Sequence, residues 1–290
     1  MNPRLRNVAR YAVTAAAVIG AVLVARWMWF HYEVEPWTRD ARVRADVIQV
    51  APDVSGPVVS VAVRDNQAVV KGQVLFVIDP SRFELALARA QAAVASAESD
   101  LAQAEREARR SRLLGSVVPQ EAREQSYTRA ERAQADLETA ITARDLAALE
   151  LDRSTVRSPV NGVVTNVLLQ AGEYVKAGEQ TMALVNTDTF RVEAYFEETK
   201  LSRIAPGDEV KIRIMGEKPL LRGRVESIAA GIEDRERTVS PSLLPDVNPT
   251  FSWVRLAQRI PVRIALDEVP AGLRLIVGRT ATVTVLPRKE

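Results

Sequence analysis

The chain has 290 residues, 47% hydrophobic and 26% charged, with a net charge of +2 at pH 7. These values fit a folded protein of one large or two to three small domains, and so small a charge does not indicate a nucleic-acid partner. The absence of cysteine and the single histidine, His31, exclude disulfides, thiol catalysis and clustered Cys or His metal sites. The acidic pair near a predicted strand end, Glu197 and Glu198, is adjacent in sequence and unsuited to acid–base chemistry. We therefore predict no catalytic residue, cofactor or metal.

The N-terminal segment predicts a membrane anchor. An apolar run covers residues 11–30, and about 20 residues suffice to cross a bilayer core of about 30 Å. The arginines before it predict that residues 1–10 are cytoplasmic and that the bulk of the chain lies in the periplasm. A cleaved signal peptide is the alternative, with Ala25 as a weak cleavage position. Arg26 and the aromatic residues after it favour a single-pass, uncleaved anchor in the inner membrane. Residues 31–49 then form a polar connector that can supply a first barrel strand.

An internal repeat follows the connector. Residues 50–79 and 156–185 align without gaps at an offset of 106, so that Val50 matches Val156. Each half alone is too small to bury a core, and together residues 50–80 and 154–187 predict a compact β-sandwich. The repeat pairs four glycines, which we assign to turns where strands reverse. These glycines are Gly56, Gly72, Gly162 and Gly178.

Residues 81–153, between the halves, predict two long antiparallel helices. This segment is rich in Ala, Glu, Arg, Gln and Leu, with glycine only at 115 and proline only at 119. Each helix has roughly 30 to 34 residues, so the rod is about 45 to 50 Å long. In the first helix a coiled-coil seam advances by alternating steps of four and three residues. Its members are Phe83, Leu87, Ala90, Val94, Ala97, Leu101, Ala104, Ala108 and Ser111.

The second helix carries a less regular seam. Arg144 interrupts it, and Ile141 and Ala148 widen it. The residues that keep its register are Ala130, Ala133, Leu137, Ala140, Ala147 and Leu151. An ordinary helical pair in a soluble bundle is the alternative, but the charged surface outside the seam favours a solvated rod.

Residues 188–290 have the sequence pattern of β-strands. Short alternating segments separated by turns predict a small antiparallel barrel, with one or two helical turns at residues 197–204. Two stretches here carry a recognisable sequence, DVNPTFSW at residues 246–253 and RIPVRI at residues 259–264.

Each half of the repeat resembles half of a biotinyl/lipoyl carrier domain. The resemblance lies in a V-x-G-x-V-x-x-V opening at residues 54–61 and a V-x-x-G turn at residues 69–72, both repeated in the second half. In the carriers a tight turn with the modified lysine joins the halves, whereas here the helical hairpin takes that place. Lys71 and Lys176 are interpreted as solvated turn residues, so a carrier protein is the weaker hypothesis.

A split lipoyl-like domain with a coiled-coil insertion, behind an anchor, resembles the periplasmic adaptor (membrane fusion) proteins of tripartite efflux pumps, a HlyD/EmrA-like family. The resemblance implies a mainly β fold with a long α-helical coiled-coil hairpin, an N-terminal transmembrane helix, a split lipoyl-like β-sandwich and a small antiparallel β-barrel. The DVNPTFSW stretch is similar to the adaptors that serve efflux of aromatic carboxylic acids such as p-hydroxybenzoic acid. The RIPVRI stretch suits the related multidrug adaptors equally well.

The resemblance also implies partners. These are an inner-membrane transporter, an outer-membrane channel of the TolC type, and further copies of the chain in a ring of three or six. The implied function is non-enzymatic coupling of the exporter to the channel for efflux of small molecules. A multidrug adaptor working with a major-facilitator or ATP-driven transporter stays open as the alternative, whereas protein-secretion adaptors usually have longer hairpins.

Apolar residues at the hairpin tip predict a docking surface, because solubility does not require them there. The resemblance implies contact with the channel through an arginine, a leucine four residues later and a serine beyond the turn. Arg109 and Leu113 fit the first two positions, and Pro119 or Gln120 occupies the third. The alternative is that the apolar residues only pack the turn. The predicted docking residues are Arg109, Leu113, Leu114, Gly115, Val117, Val118 and Pro119.

Overall fold

The computed structural model describes residues 3–29, 35–232, 237–239, 245–247, 257–270 and 272–286. His31 and the part of the DVNPTFSW stretch beyond Val247 lie outside the described residues. The chain divides into two compact units, residues 47–188 and residues 1–46 with 189–290. The predicted mainly β class with an antiparallel barrel is confirmed.

Three α-helices and sixteen strands make up the described chain. The helices are α1 Pro3–Trp29, α2 Ser81–Leu113 and α3 Gln120–Arg153. The strands are β1 Trp37–Arg44, β2 Val47–Val50, β3 Gly56–Val61, β4 Ala68–Val69, β5 Val74–Ile78, β6 Thr155–Arg157, β7 Gly162–Thr165, β8 Tyr174–Val175, β9 Met182–Asn186, β10 Arg191–Glu197, β11 Glu209–Ile214, β12 Leu220–Ile228, β13 Arg237–Val239, β14 Pro245–Val247, β15 Arg259–Leu266 and β16 Thr280–Val285. Among the described residues, no helix combines the length and the apolar character that a membrane span requires.

The sandwich contains two four-stranded sheets that share strands between the repeat halves. Their orders are β2-β9-β7-β4 and β6-β5-β3-β8. At the offset of 106, β2, β3, β4 and β5 correspond to β6, β7, β8 and β9, so the two sheets have the same order. The predicted equivalence of the halves is therefore confirmed. Each sheet takes two strands from each half, and neither half forms a sheet by itself.

Matching hydrogen bonds and core residues repeat at the same offset. The Gly72 amide donates to the Ser158 carbonyl at 2.7 Å, and the Gly178 amide donates to the Pro52 carbonyl at 2.9 Å. Val58 and Val164 are both fully buried. The sandwich core, with apolar side chains from both halves, has these buried members: Val50, Val58, Val63, Val69, Leu75, Phe76, Ile78, Phe83, Val164, Leu169, Val175, Met182 and Leu184.

The assignment of all four repeat glycines to turns is wrong for two of them. Gly72 and Gly178 do lie in turns, with φ of +85° and +80°. Gly56 and Gly162 begin strands β3 and β7 instead. A Cβ on Gly162 would lie 2.3 Å from the Val185 carbonyl oxygen, and one on Gly56 would lie 2.6 Å from the Ile78 side chain. Glycine is required at these two positions because atoms of other strands lie too close for a side chain, and not because the backbone turns there.

The seam predicted for α2 is confirmed, since all nine of its residues are buried or half-buried and most of the other α2 side chains are exposed. Phe83, Val94 and Ala104 are its most buried members. The Asp79 carboxylate precedes the helix and accepts hydrogen bonds from the Ser81 amide at 3.0 Å and the Ser81 hydroxyl at 2.6 Å. These bonds, the hydroxyl first and then the amide, lower the pKa of Asp79. The carboxylate thereby satisfies an amide that the first helical turn leaves free.

The seam of α3 differs from the prediction at three places. Arg144 does not interrupt the seam but occupies it as a half-buried residue, while Ala148 is exposed and does not widen it. The seam also begins earlier, because Ser126 is buried and donates from its hydroxyl to the Arg123 carbonyl at 2.8 Å. The steps of three and four therefore run from Arg123 to Leu151.

The second unit contains a closed six-stranded antiparallel barrel in the order β1-β10-β15-β12-β11-β16. Alternate residues of each strand point inward, as in β11, where Val210, Ile212 and Ile214 are buried and Lys211 and Arg213 are exposed. Strand β1 precedes the whole sandwich in sequence, yet it closes the barrel between β10 and β16. The predicted helical turn after β10 is present as a 3-10 helix at Glu198–Arg203.

Candidate functional site

The tip of the hairpin is a tight connection between two long helices. At the end of α2 the Leu114 amide donates to the Arg110 carbonyl at 3.1 Å. A one-turn 3-10 helix covers Gly115–Val117, and Gly115 has a φ of +53° with open space where a Cβ would lie. Pro119 then precedes α3 at its N-cap, and its carbonyl accepts from the Arg123 amide at 3.2 Å. Glycine and proline therefore set the backbone of the reversal.

Two apolar side chains of the tip face solvent. Leu113 is 85% exposed and Val117 is 81% exposed, whereas Leu114 is 48% exposed and Val118 is half-buried. Packing of the turn thus accounts for Val118 and part of Leu114. It does not account for Leu113 or Val117, which bury almost none of their surface within the chain. Isolated exposed apolar residues are common on protein surfaces, but here two of them lie in the same short reversal.

Arg109 lies four residues before Leu113, so both side chains share one face of α2. Its guanidinium is 3.6 Å from the Glu105 carboxylate, one turn earlier on the same helix. Both side chains are mostly exposed, and such a pair holds its members weakly. The arginine is therefore free to exchange this partner for an acceptor on another protein.

Below the tip, one polar cluster joins the two helices. Arg129 of α3 lies 3.1 Å from Glu107 of α2, and the Gln103 amide donates to the other Glu107 oxygen at 3.2 Å. The hydrogen bond from Gln103, followed by that from Arg129, lowers the pKa of Glu107. The cluster fixes the register of the helices about one and a half turns from Leu113.

The described residues show no arrangement suited to metal binding, since no group of three or more His, Asp or Glu side chains converges among them. Glu197 ends strand β10 and lies 3.8 Å from Lys200. Lys71 and Lys176 are exposed in the turns beside Gly72 and Gly178. The position between the halves, where a carrier lysine would stand, is occupied by the hairpin.

Sequence reasoning missed the first turns of the α3 seam and one feature of the barrel. The steps Arg123, Ser126, Ala130 and Ala133 continue the alternation of three and four, which was a readable signal. The barrel feature is a groove that contains Lys211, Arg213 and Arg39. Alternation along β11 puts Lys211 and Arg213 on one face, but no sequence signal placed Arg39 beside them, because β1 and β11 are far apart in the chain.

Two family models match the chain. Residues 46–187 match the barrel-sandwich hybrid domain of RND membrane fusion proteins, and residues 189–286 match the AAEA-like beta-barrel domain. The chain is therefore built from the domains of a membrane fusion protein, the class of periplasmic adaptors of efflux pumps. Within that class its barrel is of the AAEA-like kind.

Solved structures of other proteins share the fold. The membrane fusion protein Spr0693 from Streptococcus pneumoniae R6 has a TM-score of 0.66 and 17% identity, over 87% of this chain and 99% of that one. A putative efflux transporter from Bacteroides eggerthii DSM 20697 has a TM-score of 0.60 and 22% identity, over 86% and 68%. A MacA–MexA chimeric protein with the Pseudomonas aeruginosa MexA α-hairpin has a TM-score of 0.57 and 19% identity, over 87% and 81%.

Proposed function

We propose that this chain is the adaptor subunit that links an inner-membrane exporter to an outer-membrane channel for efflux of small aromatic carboxylic acids. The observation that carries the proposal is the insertion of the hairpin between interleaved halves of one sandwich. Helix α2 begins just after strand β5, and helix α3 ends just before strand β6. These two strands pair with each other. Both ends of the hairpin are thus fixed to one rigid base, and the tip is its farthest point.

The tip is the proposed contact with the channel. Leu113 and Val117 supply exposed apolar surface, and Arg109 supplies a weakly held charge on the same side of α2 as Leu113. A small apolar patch with an adjacent arginine is a common composition for the centre of a protein interface. Leu114, Gly115, Val118 and Pro119 shape the reversal that presents these side chains.

Residues 11–30 are the proposed single-pass anchor in the inner membrane. Support comes from the apolar run itself and from α1, in which Val18, Ile19, Val22 and Leu23 are all exposed. Arginines before the run favour a cytoplasmic N-terminus and a periplasmic location for both units. Carbonate extraction of membranes separates the possibilities, because an anchored chain stays in the pellet and a cleaved chain is released.

The substrate class rests on the barrel. Its matched family model covers the DVNPTFSW stretch, on which the similarity to aromatic-acid efflux adaptors depends. A ring of three or six copies is proposed with it, since a closed ring is the form in which identical subunits can surround a transport path.

Deletion of the gene tests the proposal. We expect the deletion strain to lose tolerance to p-hydroxybenzoate, and a plasmid copy of the gene to restore it. Unchanged tolerance in a strain with a working partner transporter would overturn the aromatic-acid assignment. Loss of tolerance to structurally unrelated drugs, with p-hydroxybenzoate tolerance unchanged, would instead identify a multidrug adaptor working with a major-facilitator or ATP-driven transporter.

A further inference from the structure

The outer surface of the barrel carries a groove of about 610 Å³ that is distinct from the hairpin tip. It lies wholly within the unit that contains the barrel. Its lining includes Arg39 of β1, Lys211 and Arg213 of β11, and Thr282 and Thr284 of β16. Volumes of this size accommodate small organic ligands.

Strand register explains why these side chains meet. Thr284 lies opposite Lys211, and Thr282 lies opposite Arg213. On its other side Arg213 lies opposite Leu220 of β12. Directly opposed residues on one face of an antiparallel pair have Cβ atoms about 5 Å apart. The sheet therefore builds one patch in which two cations lie beside two hydroxyl groups, with Leu220 on the other side of Arg213 and Arg222 on the other side of Lys211.

No described carboxylate holds the cations of the groove in an ion pair, whereas several other cations of the barrel are paired. Arg44, Arg191, Arg224, Arg259 and Arg279 each form an ion pair with a carboxylate. In the part of the chain that the structure describes, Arg39, Lys211 and Arg213 form no ion pair. Arg42, Arg222 and Arg263 also lack an ion pair among the described residues. Arg39, Lys211 and Arg213 are distinguished by lining one groove together.

The chemistry of the lining defines the ligand class. Three cations and one acid, Glu35, give the groove a net charge of +2, which favours an anion and disfavours a cation. Lysine, arginine and threonine supply hydrogen-bond donors for carboxylate oxygens. Leu220 and Leu286 add apolar surface for a body that carries no charge.

We propose that this groove binds small organic acids, with Lys211 and Arg213 holding the carboxylate and the leucines contacting the apolar body. This inference rests on the proposed function, because it makes the exported acid a ligand of the adaptor itself. Arg39 contributes to the field of the site, and its guanidinium also lies 5.3 Å from the centre of the Trp37 ring. The ring holds the arginine side chain beside the groove.

Isothermal titration of the full-length protein in neutral detergent tests the proposal. The probes are 4-hydroxybenzoate and its neutral analogue 4-hydroxybenzamide. We expect the acid to bind and the amide to bind at least about fivefold more weakly, the effect of losing roughly one exposed charge interaction. We expect K211Q/R213Q to weaken binding of the acid by about tenfold. Equal binding of acid and amide would overturn the proposal.

The matched control is R263Q, which removes an exposed cation from β15 on the opposite side of the barrel. It should bind the acid with the affinity of the parent protein. An equal loss of affinity in R263Q would show that net charge alone, and not the groove, causes the effect. Phosphatidylglycerol vesicles are the third probe. Their binding through Lys211 and Arg213, without binding of the acid, would assign the groove to lipid headgroups and overturn the proposal.

The two proposals fail separately. Titration needs no transporter. If the acid does not bind but the deletion strain still loses tolerance, the groove proposal fails and the proposed adaptor function stands. Conversely, binding of the acid by a protein whose deletion leaves tolerance unchanged removes the proposed export role and keeps the site.

Discussion

Glu107 and Arg129 form an ion pair across the hairpin, with 3.1 Å between the carboxylate and guanidinium atoms. Glu107 lies on α2 and Arg129 on α3, and Gln103 holds the second carboxylate oxygen. Most other polar contacts of the two helices join residues of the same helix. The pair is therefore one of the few polar contacts that specify how the helices align near the tip.

The stability of the hairpin should depend on pH. The pKa values of Glu107 and Asp79 are lowered from the ordinary 4.5 and 3.8. The carboxylates therefore stabilise the fold above those values, and the contribution is lost as pH falls through the lower folded-state values. We expect the melting temperature, followed by circular dichroism, to fall between pH 5 and about pH 3.

The variant E107Q/D79N should show a flatter pH profile than the parent protein. The matched control is E131Q, which changes an exposed carboxylate on α3 that has no ion pair in the described residues. Its profile should match that of the parent. A parent-like slope in E107Q/D79N would show that other carboxylates dominate acid unfolding.

Leu113→Asp should abolish export while leaving the fold intact. The side chain is exposed, so the change costs little folding stability, yet it places a charge at the centre of the proposed docking surface. Export is measured as p-hydroxybenzoate tolerance, and folding as the circular dichroism spectrum and melting temperature. The matched control is Leu85→Asp, the same change at a 72% exposed position near the other end of α2. Normal export by a fully expressed Leu113→Asp protein would remove the docking role of the tip.

Gly162→Ala should destabilise the sandwich by about 2 to 3 kcal/mol, because the new methyl group would overlap the Val185 carbonyl oxygen. Gly72→Ala should cost about 1 to 2 kcal/mol for a different reason, its φ of +85°. Urea unfolding measures the change in the free energy of unfolding for both variants. Gly231→Ala is the control, since it has open space and no positive φ, and its stability should change by less than about 0.5 kcal/mol. Equal effects of all three changes would contradict the close-approach argument.

Arg144→Leu should stabilise the hairpin by about 0.5 to 1 kcal/mol. The arginine occupies a half-buried seam position, and leucine would extend the apolar seam there. Its ion pair with Asp145 joins adjacent residues, and the Asp145 side chain is largely exposed, so little is lost with the pair. The melting temperature should rise by a few degrees, whereas Arg132→Leu, at an exposed position of α3, should leave it unchanged. A lower melting temperature in the Arg144→Leu variant would show that the guanidinium stabilises the hairpin.

Local pattern was enough to predict the hairpin and the repeat. The seam of α2 follows from periodicity, because helix contacts join residues three and four apart. The offset between Val50 and Val156 predicted equivalent halves, since equal sequences favour equal local structure. Arg144 was misread because a long side chain can lie half-buried with its charge in solvent.

Other features depend on pairing between distant strands and could not be predicted from the sequence. Whether Gly56 and Gly162 lie in turns or strands depends on where β3 and β7 meet their neighbours. Strand β1 joins the barrel from before the sandwich, and its pairing with β16 spans most of the chain. The groove around Arg213 exists only through such pairings, so no local pattern indicates it.

The exchange of strands between the sandwich sheets has a consequence for how the protein folds. The sheet that contains β2 and β4 cannot be completed until β9 has been synthesised, more than 100 residues later. Helices α2 and α3 form from local contacts, and local contacts form fast. Once they associate, they bring together Ile78 and Ser154, and the Ile78 amide donates to the Ser154 carbonyl at 2.8 Å in the folded sandwich. Their association thereby shortens the loop that must be closed. The hairpin, whose tip is the proposed docking surface of the finished protein, would thus first guide the assembly of its own base.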